Sequence, residues 1–204
     1  MSEIFFCSDT HFCHNQRFLY EPRGFSSVEE MDEKIIENWN KTVPQDGITY
    51  LLGDVMLSDT EKGLEYFKRL NGEICLVWGN HDGPRRQEEL AKLPNVIILG
   101  YAHVFKHKKL NFYVSHYPSL VTNYDEKYFS QHVINLHGHT HQQANFLYPN
   151  NPFIYHVGVD SHNCTPVHID EVITDIRQRW NDLQTLKIPI QELYMYPMKE
   201  NKNE

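Results

Sequence analysis

Short apolar runs that end on a polar residue recur through the first half of the chain, with helical periodicity between them. Residues 4–7 (Ile-Phe-Phe-Cys) run into Ser8-Asp9, 48–52 (Ile-Thr-Tyr-Leu-Leu) into Gly53-Asp54, and 74–78 (Ile-Cys-Leu-Val-Trp) into Gly79-Asn80. Partly continuous apolar runs of this length are expected of strands covered on both faces. Between the first two, Ser27 followed by Glu30 forms a capping box, and Met31, Ile35, Ile36 and Trp39 share one helical face. Leu64, Phe67 and Leu70 predict a second amphipathic helix closed by Asn71-Gly72. Pro84 suits the first turn of a third, carrying Leu90 and Leu93. The order β-α-β-α-β-α implies mostly parallel strands.

After about residue 95 the pattern changes. Segments 96–99, 103–105, 110–115, 133–137 and 153–157 read as short strands joined by turns, with Lys106-His107-Lys108-Lys109 as a solvated hairpin turn. They predict a second, more antiparallel sheet. From Asp170 the helical period returns in Val172, Ile173, Ile176 and Trp180, and beyond Pro197 the sequence reads as a frayed tail. Residues 1–175 are expected to form one domain, with 176–204 a C-terminal helix and extension rather than a second domain. The segment 188–196 could pack on that domain or mediate pairing, so the oligomeric state stays open.

Composition narrows the class without choosing the chemistry. The chain has 204 residues, 40% hydrophobic and 23% charged, which is ordinary globular usage. No apolar run approaches the roughly 20 residues that span a bilayer, and the start, Met1-Ser2-Glu3-Ile4, does not read as a signal peptide. Cys7, Cys13, Cys75 and Cys164 have no Cys-x-x-Cys spacing, which favours reduced thiols and a cytoplasmic location. A net charge of −8 argues against a broad grip on duplex nucleic acid. The unusual count is 13 histidines, because imidazole is the commonest metal ligand and a frequent general acid.

Five polar clusters follow or end a predicted strand: Asp9-Thr10-His11, Gly53-Asp54, Gly79-Asn80-His81-Asp82, His116, and Gly138-His139-Thr140-His141. In an α/β sheet the residues past the strand carboxyl ends gather along one edge, where ligands bind. If these turns converge, their carboxylates repel and raise each other's pKa unless cations sit among them. Oxygen and imidazole donors without thiolate suit Mn, Fe, Zn or Ni. Two residues apart in extended segments, Asp9 and His11 should point the same way, as should His139 and His141.

The series D-x-H, G-D, G-N-H-D, a lone His and G-H-x-H, in this order, resembles the calcineurin-like metallophosphoesterases over roughly residues 1–170. Ser8-Asp9-Thr10-His11-Phe12, the helix after Ser27, Leu52-Gly53-Asp54 and Val157-Gly158-Val159-Asp160 look like a small bacterial and phage subgroup. D-x-H alone is uninformative, whereas G-N-H-D arises by chance about once per 10⁵ positions. The resemblance implies a four-layer α/β/β/α sandwich with two mixed sheets and a dinuclear site at the strand ends. It implies two divalent ions, Mn foremost. Asp9, His11 and His141 would hold the first, Asn80, His116 and His139 the second, and Asp54 would bridge both together with a hydroxide that attacks phosphorus in line. His81 would be no ligand but would stabilise the transition state and protonate the leaving group, with Asp82 orienting it or raising its pKa.

Further contacts are read with both uses open. Arg17 and Arg23 could bind a phosphate or sit in a surface loop, His14 could support a ligand, and Tyr117 could stack on a base or simply pack. Asp160 could orient a ligand histidine or cap a turn, and His103, His107, His132, His156, His162 and His168 read as structural. Two departures from the resemblance stand out: Leu57 lies where many members carry Asp or Asn, and Cys13 lies where the subgroup commonly has glycine. The leading expectation is hydrolysis of a small phosphodiester. A phosphomonoesterase or nucleotide phosphatase competes with it. From other classes come an idle metal-binding scaffold for protein interaction and a single-strand nuclease resting on Tyr117, Tyr124, Arg17 and Arg23.

Overall fold

The computed structural model describes residues 2–122 and 128–186. Four parallel strands, β1 (Ile4–Cys7), β2 (Ile48–Leu52), β3 (Glu73–Val77) and β4 (Val96–Gly100), pair in sequence order. The elements between them are α1 (Arg17–Tyr20), α2 (Val28–Thr42), α3 (Thr60–Phe67) and α4 (Pro84–Leu90). Register places Cys7, Leu51 and Leu76 side by side. These apolar side chains share a core with Met31, Ile35 and Trp39 of α2 and Phe67 of α3. Alternation sends Phe6, Leu52 and Val77 to a second core shared with the other sheet.

That second sheet contains β5 (Ala102–His107), β6 (Leu110–Ser115), β7 (Val133–His137), β8 (Phe146–Tyr148) and β9 (Asn151–His156), in the order β5-β6-β7-β9-β8. It is mixed: β6, β7 and β9 run parallel, and antiparallel pairing is confined to the edges. Aromatic rings join the sheets, with Phe105 stacked 4.6 Å from Tyr50 and 5.0 Å from Phe112. A two-residue strand, β10 (Val167–His168), adds antiparallel to β1, and α5 (Ile169–Thr185) follows it. α5 lies against β9, with Trp180 5.3 Å from Phe153 and the Tyr155 hydroxyl donating to Asp175 at 2.7 Å. The architecture is α/β/β/α with two mixed sheets. The expected division at residue 175 falls inside α5, and its buried Ile176, Trp180 and Leu183 belong to the same core as β9. The tail and segment 188–196 lie outside the described residues, as does Tyr124.

Local signals explain most of these elements. The Ser27 hydroxyl accepts from the Glu30 N–H at 3.2 Å, while the Glu30 carboxylate reaches one residue further back than a capping box, to the Ser26 N–H. Asp59 caps α3, which ends at Phe67, so Leu70 packs from the turn beyond it. The turn between β5 and β6 is Lys108-Lys109, both with positive φ (+47° and +68°), as a two-residue hairpin loop requires. Among the described residues no helix is long and apolar enough to cross a membrane.

Candidate metal centre

The strand-end loops of both sheets meet at one place. The Asp9 loop runs beside the Asp54 loop and extends their pairing past the strands: Asp9 N–H donates to Gly53, His11 N–H to Asp54 and Phe12 N–H to Val55, each at 3.0–3.1 Å. Ser8 and Thr10 hydroxyls donate to the Leu52 and Val55 carbonyls. From the second sheet the Gly138 N–H donates to the His116 carbonyl, and the His139 N–H to both Asp9 carboxylate oxygens at 3.1 and 3.0 Å. The second sheet's loop is thus tied to the first through the Asp9 carboxylate.

The backbone differs from the expected extended segments. Asp9, His11, Asp54, His139 and His141 all have positive φ, between +48° and +68°. The side chains therefore converge through left-handed turns rather than through strand alternation, a conformation that costs energy and clusters at functional sites. Two glycines let the loops close. A Cβ at Gly79 would collide with the Asp54 backbone and carboxylate, and one at Gly138 with Ser8 and Asp9. Cys13 also has φ +65°, a left-handed conformation that glycine would adopt without strain.

The side chains form one compact group. Asp54 Oδ2 lies 3.6 Å from His11 Nε2, 3.4 Å from His116 Nε2 and 3.9 Å from His81 Nε2. Asp9 Oδ1 lies 3.9 Å from His11 Nε2 and 3.8 Å from His141 Nε2. The Asn80 side-chain oxygen lies 2.9 Å from His116 Nε2 and 3.0 Å from His139 Nδ1. Potential ligand atoms of Asp9, His11 and His141 fall within 4.8 Å of one another, as do those of Asp9, Asp54 and His116.

This donor set fits divalent cations on grounds internal to the chain. His116 donates its Nδ1 proton to the Leu52 carbonyl at 2.8 Å, so a neutral ring turns the Nε2 lone pair toward two oxygen acceptors. Lone pairs facing lone pairs repel unless a cation lies among them. His141 is oriented in the same way, its Nδ1 held by Asp160 Oδ2 at 2.9 Å while Nε2 faces Asp9. Both ring nitrogens of His11 are buried without a hydrogen-bond partner. Burial, partly offset by His116 and His141, pushes the Asp9 carboxyl above its ordinary range. The donors are hard oxygens and imidazoles, suited to Mn, Fe, Zn or Ni.

Three assignments change on the structure. Asp82 does not orient His81: its buried carboxylate accepts from the backbone N–H groups of Asp54, Val55 and Gly79 at 2.8–3.0 Å and locks two ligand loops together. The chain turns back after Asn80, which aims Asp82 inward while His81, 44% exposed, faces the cleft. Arg23 is no free phosphate ligand. Its guanidinium is 1% exposed and grips Asp160 through Nε at 2.8 Å and Nη2 at 3.0 Å, with Nη2 also donating to the Asp9 carbonyl. Arg17, 80% exposed, pairs with Glu21 one turn along and does not line the cleft.

The cleft, about 560 Å³, is lined by His11, His14, Asn80, His81, His139 and His141, with an apolar side formed by Phe18, Leu19, Pro22 and Leu57. His14 sits with its ring 5.2 Å from that of His11. Tyr117, half exposed, sets its ring edge-on to His139 at 4.7 Å and to His116 at 5.3 Å. Sequence reasoning missed the apolar side, and it missed Asp32, whose buried carboxylate accepts from the Cys13 N–H at 2.9 Å and ties α2 to the first ligand loop. A charged residue within the apolar stripe of α2 was the available signal for Asp32.

Residues 3–154 match the model of the calcineurin-like phosphoesterase superfamily domain. An uncharacterised protein of Methanocaldococcus jannaschii is 33% identical over 179 residues, covering 85% of this chain and 90% of that protein. The gene 66 protein of Mycobacterium phage D29 is 26% identical over 200 residues, covering 87% of this chain and 99% of the phage protein. Among solved structures, a protein of unknown function from Aquifex aeolicus shares the fold at a TM-score of 0.65 and 24% identity, covering 85% of this chain and 99% of its own.

Proposed function

We propose that this chain, which belongs to the calcineurin-like phosphoesterase superfamily, hydrolyses a small phosphodiester. Asp9, His11 and His141 would hold one divalent ion and Asn80, His116 and His139 the other, with the Asp54 carboxylate between them. Ions bound there would supply the positive charge that attracts the phosphate and lowers the pKa of water. Manganese is the first candidate, with iron, zinc or nickel compatible with the same donors.

The chain's own residues would divide the remaining work. Asn80 contributes a neutral oxygen and keeps the carboxylates from cancelling the charge that binds the substrate. Asp54 accepts from the His81 N–H at 2.8 Å, which fixes the start of the turn that presents the His81 ring. His81 stands at the cleft wall outside both ligand groups, where it can donate a proton to the departing oxygen. Asp160 and Arg23 hold His141 in one tautomer and one orientation.

The observation that carries the diester reading is the charge inventory of the cleft. Among the described residues lining it there is no lysine or arginine. A diester brings one negative charge, whereas a monoester brings up to two and a polyphosphate more, which sites of those classes meet with extra guanidinium or ammonium groups. The acidic chain, net −8, also disfavours duplex nucleic acid as partner. Assay with manganese of bis(p-nitrophenyl) phosphate against p-nitrophenyl phosphate tests the reading. A kcat/KM at least tenfold higher for the diester is expected, and the reverse order would overturn it.

A further inference from the structure

The apolar side of the cleft has a role that the metal centre leaves unassigned. α1 is a single turn, and its four side chains divide sharply: Leu19 and Tyr20 are buried, while Arg17 and Phe18 point out. Phe18 is 72% exposed although it lies at the mouth of the cleft. Exposing a phenyl ring forgoes the stabilisation that burying it would bring. Among the described residues its one ring contact is an edge-on approach to His14 at 5.9 Å, which leaves most of its surface uncovered. Pro22 and Leu57 continue the same wall.

The wall also has a definite place relative to the chemistry. His14 lies between the two: its ring is 5.2 Å from His11, 6.5 Å from His81 and 5.9 Å from Phe18. Phe18 is therefore one ring away from His81, the residue assigned to protonate the departing oxygen. Tyr117, the other exposed aromatic near the centre, packs on His116 and His139 and does not line this cleft. The two substituents of a diester consequently meet different surroundings, and the one that departs meets the apolar side.

We infer that Phe18 is a stacking platform for a planar ring on the leaving group, so that the substrate is a nucleotide-type phosphodiester whose departing nucleoside lays its base on Phe18, with Leu57 and Pro22 beside it. The inference rests on the phosphoesterase reading and narrows it to a substrate class. A stacking platform is indifferent to which base it meets, since every base offers a π-face and no hydrogen-bonding edge is read. Selection would act on the presence of a ring rather than on its identity.

The test uses the manganese-loaded full chain and three competitors of diester turnover: inorganic phosphate, ribose 5-phosphate and adenosine 5′-monophosphate. Adenosine monophosphate should inhibit about tenfold more tightly than ribose 5-phosphate, and Phe18→Ala should remove that difference while leaving inorganic phosphate inhibition unchanged. Phe18→Trp should keep the difference, and its indole fluorescence should be quenched by adenosine monophosphate but not by ribose 5-phosphate. The other tryptophans, Trp39, Trp78 and Trp180, are buried and should not respond. If phosphate competes but the nucleotide gains nothing over the sugar phosphate, or if Phe18→Ala retains the gain, the platform is wrong and the phosphoesterase reading stands. If the manganese-loaded chain turns over no diester, the phosphoesterase reading itself falls, and the platform with it.

Discussion

Single side chains in this centre separate into those that face the cleft and those that hold the loops, and adjacent residues take opposite parts. His81 faces out and Asp82 faces in. His81→Ala should keep fold and metal content and lower kcat by about 10²–10⁴-fold, the usual worth of a positioned proton donor. Asp82→Ala leaves three buried N–H groups without an acceptor, so a loss of about 2–4 kcal/mol in urea unfolding is expected. Unchanged unfolding of Asp82→Ala would show that its carboxylate does not anchor the loops. Asp160 gives a pH prediction. Burial works against its charge, but the His141 hydrogen bond and the Arg23 guanidinium outweigh burial and hold its carboxyl well below the ordinary range. A depressed carboxyl contributes stability above its unfolded value of about 4 and loses it as pH falls below that value. Stability of the metal-free protein should therefore drop below about pH 4, and Asp160→Asn should flatten that limb of the profile. Ligand types were readable at this scale because they follow strand ends. The Arg23–Asp160 pair, separated by 137 positions, was not, since nothing local marks which carboxylate an arginine will find.

Elements were legible wherever periodicity and caps agreed. The strands at 4–7, 48–52, 110–115 and 133–137 coincide with the apolar runs, and α2 begins at its serine cap. What the pattern could not reveal were pieces too short to carry a period: α1, β8 and β10. Left-handed φ at the ligands was equally hidden, because none of those positions is glycine and tertiary contacts impose it. α2 supplies a further test. Burial pushes the Asp32 carboxyl up to about 7, against the pull of the Cys13 N–H. A raised carboxyl favours the fold fully below its unfolded value near 4, and that contribution is gone once pH passes about 7. Asp32→Asn should remove the decline in melting temperature between about pH 4 and 7. Asp32→Ala should lower the unfolding free energy throughout, by about 1–3 kcal/mol for the orphaned N–H.

Across the whole molecule the centre couples the two sheets. Four of the residues assigned to the ions (Asp9, His11, Asp54, Asn80) come from the first sheet's loops, and three (His116, His139, His141) from the second's. Metal uptake should therefore stabilise the entire domain. At a free ion concentration 100 times the Kd the gain is about 2.7 kcal/mol, readable as a rise of several degrees in melting temperature that chelation reverses. Uptake should also release protons. The Asp9 carboxyl is held up by burial, and the His141 imidazole is held up by Asp160 and Asp9 despite burial, so each holds a proton more tightly than usual and an ion competes with it. Affinity measured by titration calorimetry should strengthen as pH rises, and a pH-independent Kd would contradict the ligand assignment. The α/β/β/α architecture followed from element order together with family resemblance; the parallel centre of the second sheet did not, because crossover direction leaves no mark on hydrophobic spacing.

The sharing of donors between the sheets also bears on how the protein is made. The second ion lacks its full set until the ribosome has passed His139 and the first until it has passed His141, so an incompletely translated chain carries carboxylates and imidazoles but has no assembled cage for them. Occupancy becomes a checksum on finished translation: nascent or truncated copies should remain metal-poor, and hydrolytic power should be withheld until both sheets have docked.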